Sequence, residues 1–177
     1  QLAARAGSNI SGDMEVGAIT CEEGEFSSVS GAVSLAGTSF SGECGLSTTS
    51  GDIALAKVGA EKVTASTTSG ALYVEVSSLE EGDFNSTSGE IYFQGGAKRF
   101  HASTISGASH ASFSGCPEDV GIESVSGQIT VELPRSASFR VEHDTVSGEF
   151  VCDFPTPGGS EGTYGTGTPQ GELDFST

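Results

Sequence analysis

Residues 48–55 read TTSGDIAL, residues 67–74 read TTSGALYV and residues 86–93 read STSGEIYF. Each stretch holds a Ser-Gly pair with hydroxyl residues before it and an alternating apolar run after it. Outward along the chain the motif returns as SVSGAVSL (28–35) and NISGDMEV (9–16) on one side. On the other it returns as TISGASHA (104–111), SVSGQITV (124–131) and TVSGEFVC (145–152). The corner glycines are Gly12, Gly31, Gly51, Gly70, Gly89, Gly107, Gly127 and Gly148, spaced by 19, 20, 19, 19, 18, 20 and 21 residues. Eight phased copies at this period are the signature of a repeat architecture.

The columns of the repeat say what each turn does. Two residues after the glycine stand Met14, Val33, Ile53, Leu72, Ile91, Ser109, Ile129 and Phe150; four after stand Val16, Leu35, Leu55, Val74, Phe93, Ala111, Val131 and Cys152. A period of two is strand geometry with one face buried. Five before the glycine the column is again mostly apolar (Phe26, Leu46, Ala65, Phe84, Ile122), and two before it stand Ile10, Val29, Thr49, Thr68, Thr87, Ile105, Val125 and Val146. The step from five to two breaks the period, which predicts a bulge or bend before the corner. Each repeat therefore reads as strand, Ser-Gly corner, strand, variable corner. One such turn cannot bury its apolar face alone, whereas stacked turns can. The expected fold is all-β: a single-stranded β-helix of about 19 residues per turn and eight to nine turns, about 40 Å long at the spacing of stacked strands. Parallel crossovers favour the right-handed coil.

The expected organisation is a single repeat domain over 1–177, with residues 155–170 (PTPGGSEGTYGTGTPQ) inserted as a Gly- and Pro-rich loop or hairpin. GELDFST at 171–177 resumes the pattern, its DFST aligning with EFSS at 25–28. The stretch reads as one cut from a longer array, starting at Gln1 after trimming, and its open last turn would be an adhesive edge.

Composition bounds the function. Leu, Ile, Val and Phe make up 38 of 177 residues, too few for an ordinary sandwich core and enough for a thin coil. Twenty-four acidic against seven basic residues, a net charge of −17, argue against nucleic acid and against an anionic membrane surface. They favour cationic partners. No apolar run approaches the length of a membrane span, so direct insertion by this segment is not expected.

The Ser-Gly-(Asp/Glu)-hydrophobic turn, together with the late YGTG-x-x-x-x-ELDFST segment (164–177), resembles a large bacterial adhesin-like family of unknown function. The resemblance covers essentially residues 7–177. It implies a β-helix, often carried on envelope or secreted proteins and sometimes linked to cell-envelope stress. The family offers no catalytic motif to carry over.

Individual residues add little chemistry. Cys21, Cys44, Cys116 and Cys152 form no C-x-x-C and no zinc spacing, and their disulfide state is open; Cys21 and Cys44 fall on neighbouring turns about three positions out of phase. His101, His110 and His143 have no nucleophile or carboxylate fixed beside them by spacing. The hydroxyl columns one and three residues before the glycine read as hydrogen-bonded ladders or, if both face outward, as a flat hydroxyl face. The carboxylates after the glycine form an interrupted outward ladder whose reading is a solvated face, calcium binding being the sharper alternative.

The expectation is a non-catalytic module of the bacterial cell envelope or exterior, with the cytoplasm left open, needing no cofactor. It would recognise a protein or cationic peptide, or a glycan, through Asp13, Asp52, Glu80, Glu81, Asp83, Glu90, Glu118, Asp119 and Glu149. One alternative is a scaffold of coils stacked end to end into a homo-oligomer. The other is a β-helix carbohydrate-active enzyme, which would need carboxylates converging in a long groove.

Overall fold

A computed structural model describes residues 2–144, 161–164 and 170–176. The chain runs β1 (Leu2–Ser11), β2 (Met14–Gly17), β3 (Thr20–Ser30), β4 (Val33–Ala36), β5 (Ser39–Phe40), β6 (Glu43–Ser50) and β7 (Ile53–Val58). It continues through β8 (Lys62–Ser69), β9 (Leu72–Val76), β10 (Leu79–Ser88), β11 (Ile91–Gly95), β12 (Ala97–Ser106) and β13 (Ser109–Phe113). Last come β14 (Asp119–Ser126), β15 (Ile129–Glu132), β16 (Phe139–Asp144), β17 (Glu161–Tyr164) and β18 (Gly171–Ser176). No helix occurs among the described residues.

Two parallel sheets enclose the core. Sheet A runs β1-β3-β6-β8-β10-β12-β14-β18-β16-β17, and sheet B runs β2-β4-β7-β9-β11-β13-β15. Every Ser-Gly corner from Gly12 to Gly127 passes the chain from A to B. The described coil is a β-solenoid of seven such turns, fewer than the eight to nine expected. The eighth corner, Gly148, and with it Glu149 and Cys152, lie outside the described residues, as does most of 155–170.

Hydrogen bonding continues around the corner. The Gly51 N–H donates to the Ser69 carbonyl at 3.0 Å, and the Ile53 N–H donates to the Ala71 carbonyl at 2.9 Å. Stacking is so close there that a Cβ on Gly70, whose φ is +154°, would overlap the carbonyl oxygen of Gly51. Only glycine meets both demands, the positive φ and the close approach.

The bulge expected before the corner is absent. In β6 the alternation runs through this step: Cys44, Leu46 and Thr48 point inward, and Thr49 is exposed. The column three before the glycine therefore faces the core, with Ser28, Thr48, Thr67, Ser86, Thr104 and Ser124 all buried. The column two before it faces solvent. Five of these hydroxyls, on Ser28, Thr48, Ser86, Thr104 and Ser124, are buried without a hydrogen-bond partner, and the sixth has one. The Thr67 hydroxyl donates to the carbonyl of Gly51, one turn back, at 3.3 Å. The flat face of two hydroxyl columns is thereby excluded, since one of the two is internal.

Phenylalanines from successive turns pack together in the core. Phe93 and Phe100 have ring centroids 4.7 Å apart, and Phe100 meets Phe113 edge-on at 5.3 Å. Gly24 and Gly82 leave room for the rings of Phe40 and Phe84.

The far end departs from simple stacking. β18 lies between β14 and β16, parallel to both, and β17 pairs antiparallel with β16. Phe175 sits in register with Ile122, so the phase read from the sequence holds. Its place in the stack does not: GELDFS is an internal rung, with Leu173 1% exposed. It is not the open last turn on which end-to-end stacking was argued.

Candidate functional site

The carboxylates following the corner glycines divide by side-chain length. Asp52 Oδ1 accepts a hydrogen bond from the Ala71 N–H of the next turn at 2.8 Å, and Asp13 Oδ1 accepts from the Ala32 N–H at 3.0 Å. The alternation of acid and alanine in this column thus has a structural cause: an Asp on one turn ties down the small residue of the next. Glu90, one methylene longer, instead accepts from the Tyr92 hydroxyl at 2.7 Å. That bond raises the Tyr92 phenol above its ordinary range. Tyr92 also stacks on Tyr73, with centroids 5.3 Å apart and planes within 5°. The two rings spend a face on each other, which leaves less flat aromatic surface for a sugar to cover.

The variable corners hold ion pairs. Glu81 lies in register between Lys62 and Arg99. It meets Lys62 at 2.6 Å and Arg99 at 2.9 Å, and Lys62 also reaches Asp83 at 3.5 Å. Hydrogen bonds from the two cations hold the Glu81 carboxyl below the usual carboxylate range, and the bond to Glu81 lifts Lys62. Lys98 pairs with the exposed Glu80 at 2.7 Å. Lys62, Lys98 and Arg99, three of the seven basic residues, are thereby occupied by acids of neighbouring rungs.

Beside this ladder, the outer face of sheet A sinks into a shallow depression of about 340 Å³ across β10, β12, β14 and β18. Glu81, Asp83, Asp119, Glu123 and Asp174 line it, with Arg99, His101 and Ser176. Gly121 forms part of its floor, and a Cβ there would come within 2.8 Å of His101 Nδ1. Five carboxylates face one guanidinium, so the depression is electronegative. The charge of the variable corners, SLEEGD at 78–83 and GCPED at 115–119, already singled out Glu81, Asp83 and Asp119. It missed Glu123, His101 and Asp174, because Asp174 reaches this face only through the insertion of β18. Glu80 and Glu118 are exposed on the same corner edge, and Asp13, Asp52 and Glu90 lie in the Ser-Gly corners between the two sheets.

Among the described residues no three His, Cys, Asp or Glu side chains gather closely enough to share a metal ion. Cys21, Cys44 and Cys116 are free thiols there. Burial first, and then the neighbouring Cys21, push the Cys44 thiol up to about 12. Among the same residues no helix is long and apolar enough to cross a membrane.

No curated protein and no solved structure is matched by this chain. A protein-family model, the Toastrack domain DUF4097, matches it twice, over residues 4–91 and over 41–169. The matches overlap, as a repeat laid on one model in two phases would. The family has a solenoid fold and an unknown function, and it is not a known enzyme family, which fits a structural or binding module. With stacked parallel turns and a family match over most of its length, the chain belongs to the Toastrack DUF4097 family.

Proposed function

We propose that this domain is a non-catalytic recognition module of the bacterial cell envelope, and that its sheet A depression binds a cationic segment of a partner protein. The observation that supports this most is the charge left over in the depression. Arg99 is already shared with Glu81, and Lys62 reaches both Glu81 and Asp83, so the charge left over is that of Asp119, Glu123 and Asp174. A lysine or arginine side chain entering the depression meets carboxylates on β10, β14 and β18, with His101 of β12 between them. Such binding is steered by charge and falls with ionic strength.

The test is fluorescence anisotropy with a labelled oligolysine peptide. Affinity is expected to fall at least about tenfold between low salt and about 0.5 M salt, where the Debye length has shrunk to a few ångströms. The Asp83→Asn, Glu123→Gln, Asp174→Asn triple variant should lose most of the binding. A control of equal charge change on sheet B, at Glu15, Glu75 and Glu132, should lose little. Equal losses in the two variants, or salt-independent affinity, would overturn the assignment to the depression.

A further inference from the structure

On the outer face of sheet A, the position two before each corner glycine carries Ile10, Val29, Thr49, Thr68, Thr87, Ile105 and Val125. The ladder is β-branched on every turn and turned to solvent, Ile10 being 79% and Val125 73% exposed. A serine column runs along one side of it, immediately before the glycines. Along the other side, four before the glycines, runs a second column of Ser8, Ser27, Ser47, Ser66, Asn85, Ser103 and Glu123. In a chain with 24 acidic residues, Glu123 is the single charge in these three columns. Isolated exposed apolar residues are ordinary, but here they come as two adjacent pairs, Ile10 with Val29 and Ile105 with Val125, joined by three threonines, and such clustering marks an interaction surface.

We propose that this strip is a self-association surface, on which a second copy of the chain packs face to face about a two-fold axis parallel to the strands. Charge favours a copy of the same chain here. Two molecules of net charge −17 repel wherever their carboxylates face each other, and this strip is a face where they do not. The order of the ladder also favours it. Read from either end it runs apolar, apolar, Thr, Thr, Thr, apolar, apolar. A two-fold centred on Thr68 therefore sets Ile10 against Val125 and Val29 against Ile105, as an isologous interface requires. At the strip's margin the same axis sets Glu23 opposite Arg99, Glu25 opposite His101, and Lys62, which Glu81 and Asp83 already neutralise, opposite its own copy. Glu43 meets Glu81, whose charge is already held by Lys62 and Arg99.

Size sets the strength. Seven rungs at about 4.8 Å by five residues at about 3.3 Å make roughly 500 Å² per copy. The total of about 1,000 Å² sits at the lower edge of specific interfaces, so the dimer is weak and concentration-dependent. His101 borders the depression, so a second copy and a cationic partner compete for this face.

Sedimentation velocity on the whole chain tests the proposal without reference to any partner. The expected result is a shift from monomer toward dimer between about 10 μM and about 500 μM protein, a range suited to a weak complex. Thr68→Arg, which opposes two guanidinium groups at the axis, should leave monomer at every concentration. Ile105→Arg should do the same, while Tyr73→Arg on sheet B should not. Circular dichroism should be unchanged in all three, since each position is exposed or partly so. Monomer throughout the wild-type series overturns the proposal, as does a dimer that survives both strip variants or one that Tyr73→Arg also dissolves.

Discussion

The residue scale shows two ways of placing a positive φ. At Gly70 the left-handed backbone coincides with contact to the turn below, so Gly70→Ala adds a steric overlap to a strained φ and should cost more than about 3 kcal/mol. Gly12 begins the described stack, and a Cβ there meets nothing nearer than Asn9 Nδ2 at 3.6 Å. Gly12→Ala should cost only the backbone term, about 1–2 kcal/mol. Six residues after the corner a second positive-φ conformation, the left-handed helical one, recurs in the first three turns, as Ala18 (φ 50°), Gly37 (φ 62°) and Lys57 (φ 55°). Lys57 is exposed and interrupts the register between Ala56 and Val58. Lys57→Gly should therefore stabilise by up to about 1 kcal/mol. Urea denaturation of the three variants ranks them, and a Gly70→Ala cost no larger than that of Gly12→Ala would refute the stacking argument. The glycine column itself was plain in the sequence. The αL column was not, because only one of its three members is glycine.

Among elements, the rungs are coupled through their corners. The ladder Glu43, Lys62, Glu81, Arg99, Asp119, Glu172 runs in register across β6, β8, β10, β12, β14 and β18. Because the folded Glu81 carboxyl is held below its unfolded value, its stabilising contribution is present above that unfolded value, about pH 4.3. It is lost as the pH falls through the lower, folded value. The gap in Tm between the wild type and Glu81→Gln should be small at neutral pH, as for exposed pairs generally, and should close in strong acid. A gap that persists unchanged at about pH 2.5 would mean that the carboxylate's charge is not what matters. Element boundaries were largely legible from period-two columns. The direction of the hydroxyl column was not. A hydropathy reading turns the Ile or Val two before the glycine inward rather than the hydroxyl three before it, and the structure has the reverse. Thr67 tolerates this because a carbonyl one turn back accepts its proton.

The whole molecule is decided at its far end. β18 is wedged between β14 and β16, and Leu173 is in register with Val120 and Val141. Leu173→Ala should cost about 2–5 kcal/mol as a core truncation, measured by chemical denaturation. A loss below about 1 kcal/mol would place β18 outside the cooperative core. The sequence by itself determined the coil: a period near 19, glycine where turns touch, and alternating apolar columns on either side. These are local or nearest-neighbour properties, and a repeat states them eight times over. Only the tertiary structure decided which columns face out, that the terminal strand enters the stack rather than ending it, and that Asp174 joins Asp83, Asp119 and Glu123 around Gly121. The reason is physical. Strand phase is written in the alternation of side chains, but the order of strands in a parallel sheet depends on which edge buries the most apolar surface, and that edge exists only once the coil has formed.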